Sequence, residues 1–169
     1  MNPKQLLITI LPMVLVGCSS LTPKQQQQLS QLDGCDKLAV VIKQSQVGFA
    51  DLKGAEVDAK LLKSWQAKAH LVGEQCQIVA SLNADEKYLC VESFANYDDA
   101  VTMLQYGESL LSQCLGGEWQ KQLERPLPKY QTRYHGTNNS ATISLSLAQS
   151  LSKKSPWQLT LDVTASNSE

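Results

Sequence analysis

The sequence predicts an α+β domain in which two helices pack on a mostly antiparallel sheet of about six strands, in the order α-β-β-β-α-β-β-β. Two segments place apolar residues at helical spacing, and six shorter segments are strand-like, several of them with strict alternation of apolar and polar residues. Gly, Pro, Asn and Asp residues separate these segments. Because alternation leaves one sheet face apolar, we expect the helices to cover that face.

The first predicted helix runs from Asp36 to about Gln46. Its apolar residues, among them Leu38 and Val41, lie on one face, and a Val-Gly pair follows its end. Residues 49–63 show no clear period. The sequence therefore predicts no regular element between this helix and the first strand.

A three-strand meander is predicted next. From Trp65 to Leu71 apolar and polar residues alternate, which is typical of a half-buried strand. Cys76 and Cys90 lie in two further strand-like runs, joined by the polar residues 83–87. These two runs are expected to form a hairpin.

The second predicted helix begins at Tyr97 and ends at Cys114. Asn96 followed by Asp99 resembles a capping box, and the pair Gly116-Gly117 marks the end of the helix. A single apolar face runs along the whole segment, which makes it the strongest helical pattern in the chain.

Three more strands are predicted near the C-terminus. After a crossing through Pro126 and Pro128, the candidates are residues 129–135, 142–148 and 157–163. The last two alternate strictly between apolar and polar side chains, and Asn, Lys, Ser and Pro residues supply the turns between the strands.

Charge and motif content exclude several functions. The chain has 15 basic and 16 acidic residues, and this balance provides no basic surface for nucleic acid. It has two histidines, His70 and His135, and neither lies in a nucleophile, zinc or calcium motif. The sequence therefore predicts a protein that is not an enzyme, with no catalytic residues, no metal and no cofactor.

The N-terminus has the pattern of an export signal. Lys4 precedes an apolar run over residues 6–16, which is too short to cross a bilayer as a helix. The run closes on Leu15-Val16-Gly17-Cys18. This motif resembles the lipobox of bacterial lipoproteins, a likeness that covers about the first 20 residues.

The resemblance implies that residues 1–17 are removed and that Cys18 carries the lipid. In Gram-negative lipoproteins, an aspartate directly after the lipidated cysteine resembles an inner-membrane retention signal. This chain has Ser19 at that position, so we expect the protein to be anchored in the periplasmic leaflet of the outer membrane. Residues 18–34 form a Gln-rich tether, either a short helix or a flexible coil with a reach of about 22 Å. Residues 35–169 form the single globular domain.

The remaining four cysteines are even in number, in a chain bound for an oxidising compartment. Two disulfides are the default there, and four cysteines allow three connectivities. The predicted hairpin brings Cys76 near Cys90, and the other pair, Cys35 and Cys114, would tie the two helices together. The sequence therefore predicts the bridges Cys76–Cys90 and Cys35–Cys114.

The expected function is binding of another envelope protein by a membrane-anchored periplasmic lipoprotein, as an assembly factor or in a pilotin-like role. Such a protein can bind its partner by pairing through an edge strand or by holding a helix of the partner in a groove. The alternatives are a periplasmic immunity-type inhibitor and a module that binds a small ligand or the cell wall. The candidate binding surface is Trp119, Tyr130 and Tyr134, where the periodicity is weakest.

Overall fold

The computed structural model describes residue 29 and residues 31–57, 62–80, 85–124, 129–137 and 141–165. The signal segment 1–17, Cys18 and most of the tether lie outside these residues. The elements are helix α1 (Gly34–Ser45), a 3-10 turn (Ala50–Leu52), strands β1 (Lys53–Val57), β2 (Ser64–Ala67), β3 (Gln75–Ala80) and β4 (Glu86–Phe94), helix α2 (Tyr97–Cys114), and strands β5 (Trp119–Glu124), β6 (Tyr130–Gly136), β7 (Thr142–Gln149) and β8 (Trp157–Thr164).

All eight strands form one antiparallel sheet in the order β1-β2-β3-β4-β8-β7-β6-β5. The prediction of about six strands, with three before and three after the second helix, is therefore wrong, although the domain is broadly α+β. Each helix is followed by a four-stranded meander, and the last strands of the two meanders, β4 and β8, pair at the centre of the sheet. The chain thus builds two halves of the same element order.

The two strands that the sequence did not reveal are the two edges of the sheet. In β1 the pairing register with β2 shifts between Lys53 and Glu56, and such an irregularity interrupts the alternation that marks a strand. In β5 the residues from Gln120 to Leu123 are all exposed, so polar side chains dominate both faces. Edge strands bury little, and their sequence pattern is correspondingly weak.

Capping residues explain the helix boundaries. Asp33 accepts a hydrogen bond from the Asp36 N–H at 2.8 Å, so α1 begins two residues earlier than predicted. The Asp99 N–H donates to the side chain of Asn96 at 2.9 Å. Helix α2 spans Tyr97–Cys114, the bounds that its sequence pattern predicted.

The predicted strand over 65–71 is shorter in the structure. Strand β2 ends at Ala67, and the chain then leaves the sheet and turns Leu71 and Val72 into the core. The Tyr88 hydroxyl donates to the Ala69 carbonyl at 2.9 Å and holds this connection in place. Burial raises the pKa of the Tyr88 hydroxyl.

The core lies between the helices and one face of the sheet. Both disulfides border it: Cys76–Cys90 joins β3 to β4, and Cys35–Cys114 joins the start of α1 to the end of α2. This is the connectivity predicted from the sequence. The largest side chains that are almost fully buried are Tyr88, Phe49, Leu38, Leu52, Ile78, Leu111, Ile143, Leu145, Leu147, Leu159, Leu161 and Val41.

Candidate binding site at the β5 edge

A groove of about 240 Å³ lies beside α2, above the edge of the sheet formed by β5 and β6. Most of its lining is apolar or aromatic. Helix α2 supplies one wall and the two strands supply the other. The lining residues are Tyr97, Val101, Leu104, Gln105, Glu108, Leu123, Tyr130 and Thr132.

The groove is open because the connection after α2 contributes fewer buried side chains than the connection after α1. The connection from α1 to β1 inserts Phe49 and Leu52, both at 0% exposure, into the core. The corresponding connection from α2 to β5 spans only residues 115–118. It contains Gly116 and Gly117, and no atom lies within 4 Å of where a Cβ would be on either residue. Leu115 packs against the core, and the two glycines place no side chain over β5 and β6.

Aromatic and polar contacts fix the shape of the groove. The Tyr97 ring packs against Trp157, with the ring centroids 4.7 Å apart. The neighbouring Tyr130 side chain is the main cause that raises the pKa of Tyr97. Deeper along α2, Glu108 accepts a hydrogen bond from the Thr132 hydroxyl at 2.9 Å. These contacts tie the helix wall to the strand wall.

Within the described residues, β5 pairs with β6 alone, which leaves backbone groups free on its other side, next to the groove. The Thr137 N–H donates to the Glu118 carbonyl at 3.1 Å, and pairing continues residue by residue along β5 and β6. Because hydrogen-bonded pairs alternate in an antiparallel ladder, the bonds to β6 fall on the even-numbered residues of β5. Lys121 and Leu123 consequently direct their N–H and C=O groups away from β6, toward the free edge.

The opposite edge of the sheet is less receptive to another strand. The register shift between Lys53 and Glu56 distorts β1, and bulges of this kind protect an edge from further pairing. The β5–β6 ladder has no such shift from Trp119 to Glu124. The regular edge is therefore the one that borders the groove.

The three residues predicted as a binding surface do not lie together on the surface. Tyr130 lines the groove. Tyr134 is only 3% exposed and belongs to the core, where Lys121 lies over its ring at 5.7 Å. Trp119 is half-buried and packs against the core. The ring of Tyr134 is buried because β6 alternates: Tyr134 faces the helix side, beside Ile143 of β7.

Sequence reasoning missed most of the groove. Val101 and Leu104 belong to the apolar face that predicts the second helix, and the sequence predicts no element between Gly117 and residue 129, the interval that contains Leu123. After Trp119, the one apolar residue of β5 is Leu123, which is 46% exposed in the structure. A lone exposed leucine is ordinary on protein surfaces, so its meaning depends on its neighbours in space.

The face of the sheet away from the helices is mostly polar. Asp162 lies near its centre, between Leu89 of β4 and Ser144 of β7. Burial raises the pKa of Asp162, while Lys87, Arg133 and Lys129 act in the opposite direction. Close by, Gln131 donates to Ser144 at 2.8 Å, and Arg133 pairs with Glu124 at 3.1 Å.

The two histidines are held by local contacts. His70 Nε2 lies 3.1 Å from the Ala67 carbonyl, and His135 Nδ1 lies 3.3 Å from the Thr142 hydroxyl. Within the described residues, no three His, Cys, Asp or Glu side chains are grouped so that they could hold a metal ion. None of the helices in this part of the chain is long and apolar enough to cross a membrane.

Comparison with protein-family models, with curated proteins and with solved structures found no significant match to this chain. The function is therefore inferred from the groove, the β5 edge and the N-terminal sequence.

Proposed function

We propose that this protein is a non-enzymatic lipoprotein of the bacterial envelope that binds an extended segment of another envelope protein. The segment adds as a strand to β5, and its side chains on the helix side enter the groove beside α2. The supporting observation is that a regular strand edge, with no further strand beside it among the described residues, lies next to an apolar groove. In strand addition, the backbone provides affinity and pockets for alternate side chains provide specificity.

The geometry suits a segment in extended conformation. The outward N–H and C=O groups of Lys121 and Leu123 would pair with its backbone. Every second side chain would then point to the helix side, the same side as Leu123. Those side chains would cover Leu123 and Tyr97, which are 46% and 40% exposed. Burial of apolar area contributes about 25 cal/mol per Å².

Lipid on Cys18 would hold the domain at the membrane, in the periplasmic leaflet of the outer membrane. Two or more acyl chains anchor a protein stably, since each buried methylene contributes about 0.8 kcal/mol. The formal charge of −1 provides no electrostatic attraction to an anionic bilayer. In an assembly or pilotin-like role, this anchor would bring the bound partner to the same membrane.

Photo-crosslinking in intact cells tests this proposal. A photoreactive amino acid at Gln122, whose side chain is exposed on β5, should give an adduct with one envelope protein. The matched control is the same amino acid at Ala55, which is exposed on the β1 edge. No adduct at position 122, or the same adduct at both positions, would contradict the proposal.

A further inference from the structure

The charges around the groove identify the partner segment more closely. Helix α2, from Tyr97 to Cys114, contains three acidic residues, Asp98, Asp99 and Glu108, and no Lys or Arg. Glu108 is the one charged residue among the described residues that line the groove. Asp98 is close enough to the groove mouth to help raise the pKa of Tyr97. The charged residues of α2 are thus all acidic, and the nearby cation of β5, Lys121, lies over the Tyr134 ring.

No lysine or arginine of the described residues forms an ion pair with Glu108. The two ion pairs in this part of the chain are Lys53–Glu86 and Arg133–Glu124. Glu108 is held by one hydrogen bond, from the Thr132 hydroxyl, and a carboxylate can accept several. A cation from outside the domain could therefore bind this carboxylate without breaking an existing ion pair.

The apolar walls of the groove favour a cation that is carried on a long side chain. Lys and Arg side chains lay their alkyl stems along apolar surface and keep the charged head group at a polar site. In the groove, Val101 and Leu104 lie on the same helix as Glu108, one to two turns toward its N-terminus. A long cationic side chain would cover these residues and end at the carboxylate.

We propose that the partner segment is basic and amphipathic: an extended stretch with an apolar side chain in the groove and, two residues away on the same face, a Lys or Arg that pairs with Glu108. This inference rests on the proposed function and deepens it, because it specifies the chemistry of the bound strand. An acidic segment would be repelled by Glu108, and a neutral segment would leave this carboxylate without an ion pair.

Three fluorescent probe peptides test the inference against the full-length protein in detergent. Their sequences are Thr-Lys-Thr-Phe-Thr-Lys-Thr and the same peptide with both Lys residues changed to Gln or to Glu. The Lys peptide should bind tightest and the Glu peptide weakest, with about a tenfold difference for each 1.4 kcal/mol of charge interaction. Glu108→Gln should reduce binding of the Lys peptide roughly twofold to fivefold.

Charge reversal gives the sharper comparison. Glu108→Lys should abolish or invert the preference for the Lys peptide. Glu74→Lys, which makes the same charge change at an exposed residue outside the groove, should leave the preference unchanged. Glu108→Gln keeps an oxygen that can accept the Thr132 hydroxyl, so it controls for loss of that hydrogen bond.

The outcomes separate this inference from the proposed function. Three results would each overturn the inference. The Lys and Glu peptides could bind equally, Glu108→Lys could leave the order of peptide affinities unchanged, or none of the three peptides could bind. The in-cell adduct at Gln122 is measured independently of the peptides. If that adduct forms while the peptide order fails, the protein binds a strand of different chemistry at this site.

Discussion

Cys76 and Cys90 lie directly opposite each other in the β3–β4 ladder, with their Cα atoms 4.0 Å apart and their sulfurs joined. This bridge closes a short hairpin, with a sequence separation of 14, whereas Cys35–Cys114 closes a loop with a separation of 79. The two bridges therefore restrain the unfolded chain to different extents. In the chain-entropy account, the larger loop provides more stabilisation.

We predict contributions of about 3 kcal/mol for Cys76–Cys90 and about 4.5 kcal/mol for Cys35–Cys114 to the free energy of unfolding. Each bridge can be isolated by replacing the other pair with Ala and comparing denaturant unfolding with and without reductant. Because both unfolding measurements use the same variant, the difference between them excludes the loss of packing that the Ala replacement causes. A larger reductant effect for the hairpin bridge than for the long bridge would contradict the entropy argument.

The hydrogen bond from Tyr88 to the Ala69 carbonyl should stabilise the connection between β2 and β3. Tyr88→Phe keeps the buried ring but leaves the carbonyl without this donor, so we expect a loss of about 1–2 kcal/mol in the free energy of unfolding. Tyr106→Phe is the control, because Tyr106 is 54% exposed. Equal effects of the two substitutions would show that the Tyr88 bond contributes nothing.

Asp162 should produce a pH-dependent difference in stability. Its pKa is raised in the folded state, mainly by burial, so the folded state holds the proton more tightly than the unfolded state does. Stability therefore falls as pH rises from the ordinary value of 3.8 through the raised folded-state pKa. The difference in unfolding free energy between the wild type and Asp162→Asn should change only in that interval. A difference that is constant with pH would refute the burial effect.

Lipid attachment should depend on Cys18. Cys18→Ser removes the only sulfur that the lipobox-like motif offers, so the protein should lose lipid labelling and leave the membrane fraction. The variant Ser19→Ala keeps the cysteine and should remain lipid-labelled. Unchanged labelling and fractionation of Cys18→Ser would contradict the anchoring proposal.

The elements that the sequence predicted well are those with one-sided burial or clear caps. Helix α2 combines a capping side chain at Asn96 with a continuous apolar face, and both signals are local. Strands β7 and β8 alternate strictly because one of their faces contacts the core. The cysteine pairing followed from the hairpin, since only neighbouring strands place Cys76 opposite Cys90.

The parts that were missed depend on neighbours in space. In the part of the chain that the structure describes, strands β1 and β5 each pair on one side. A register shift in β1 and an exposed polar sequence in β5 hide their alternation. The same holds for the groove: Leu123, Tyr97 and Tyr130 come from three elements, and no local pattern in the sequence shows that they meet. Tyr134 differs from Tyr130 in burial because Lys121 and the core cover its ring, whereas Tyr130 faces the opening.

The backbone groups of β5 that face away from β6 are the feature on which the proposed function depends. Lys121→Pro removes an N–H that points to the free edge and leaves the ladder bonds to β6 in place, and proline is tolerated on edge strands. Lys121→Ala removes the same charge and side chain but keeps the N–H. Thermal unfolding of both variants verifies that the domain remains folded.

The most direct measurement is the yield of the in-cell adduct from the photoreactive amino acid at Gln122 in these two backgrounds. Strand addition predicts that Lys121→Pro lowers the yield by about tenfold or more, since it removes a backbone bond and blocks the edge. Lys121→Ala should leave the yield within about twofold of the parent, because exposed charges contribute little. Equal yields in the Pro and Ala variants would contradict binding through the β5 edge.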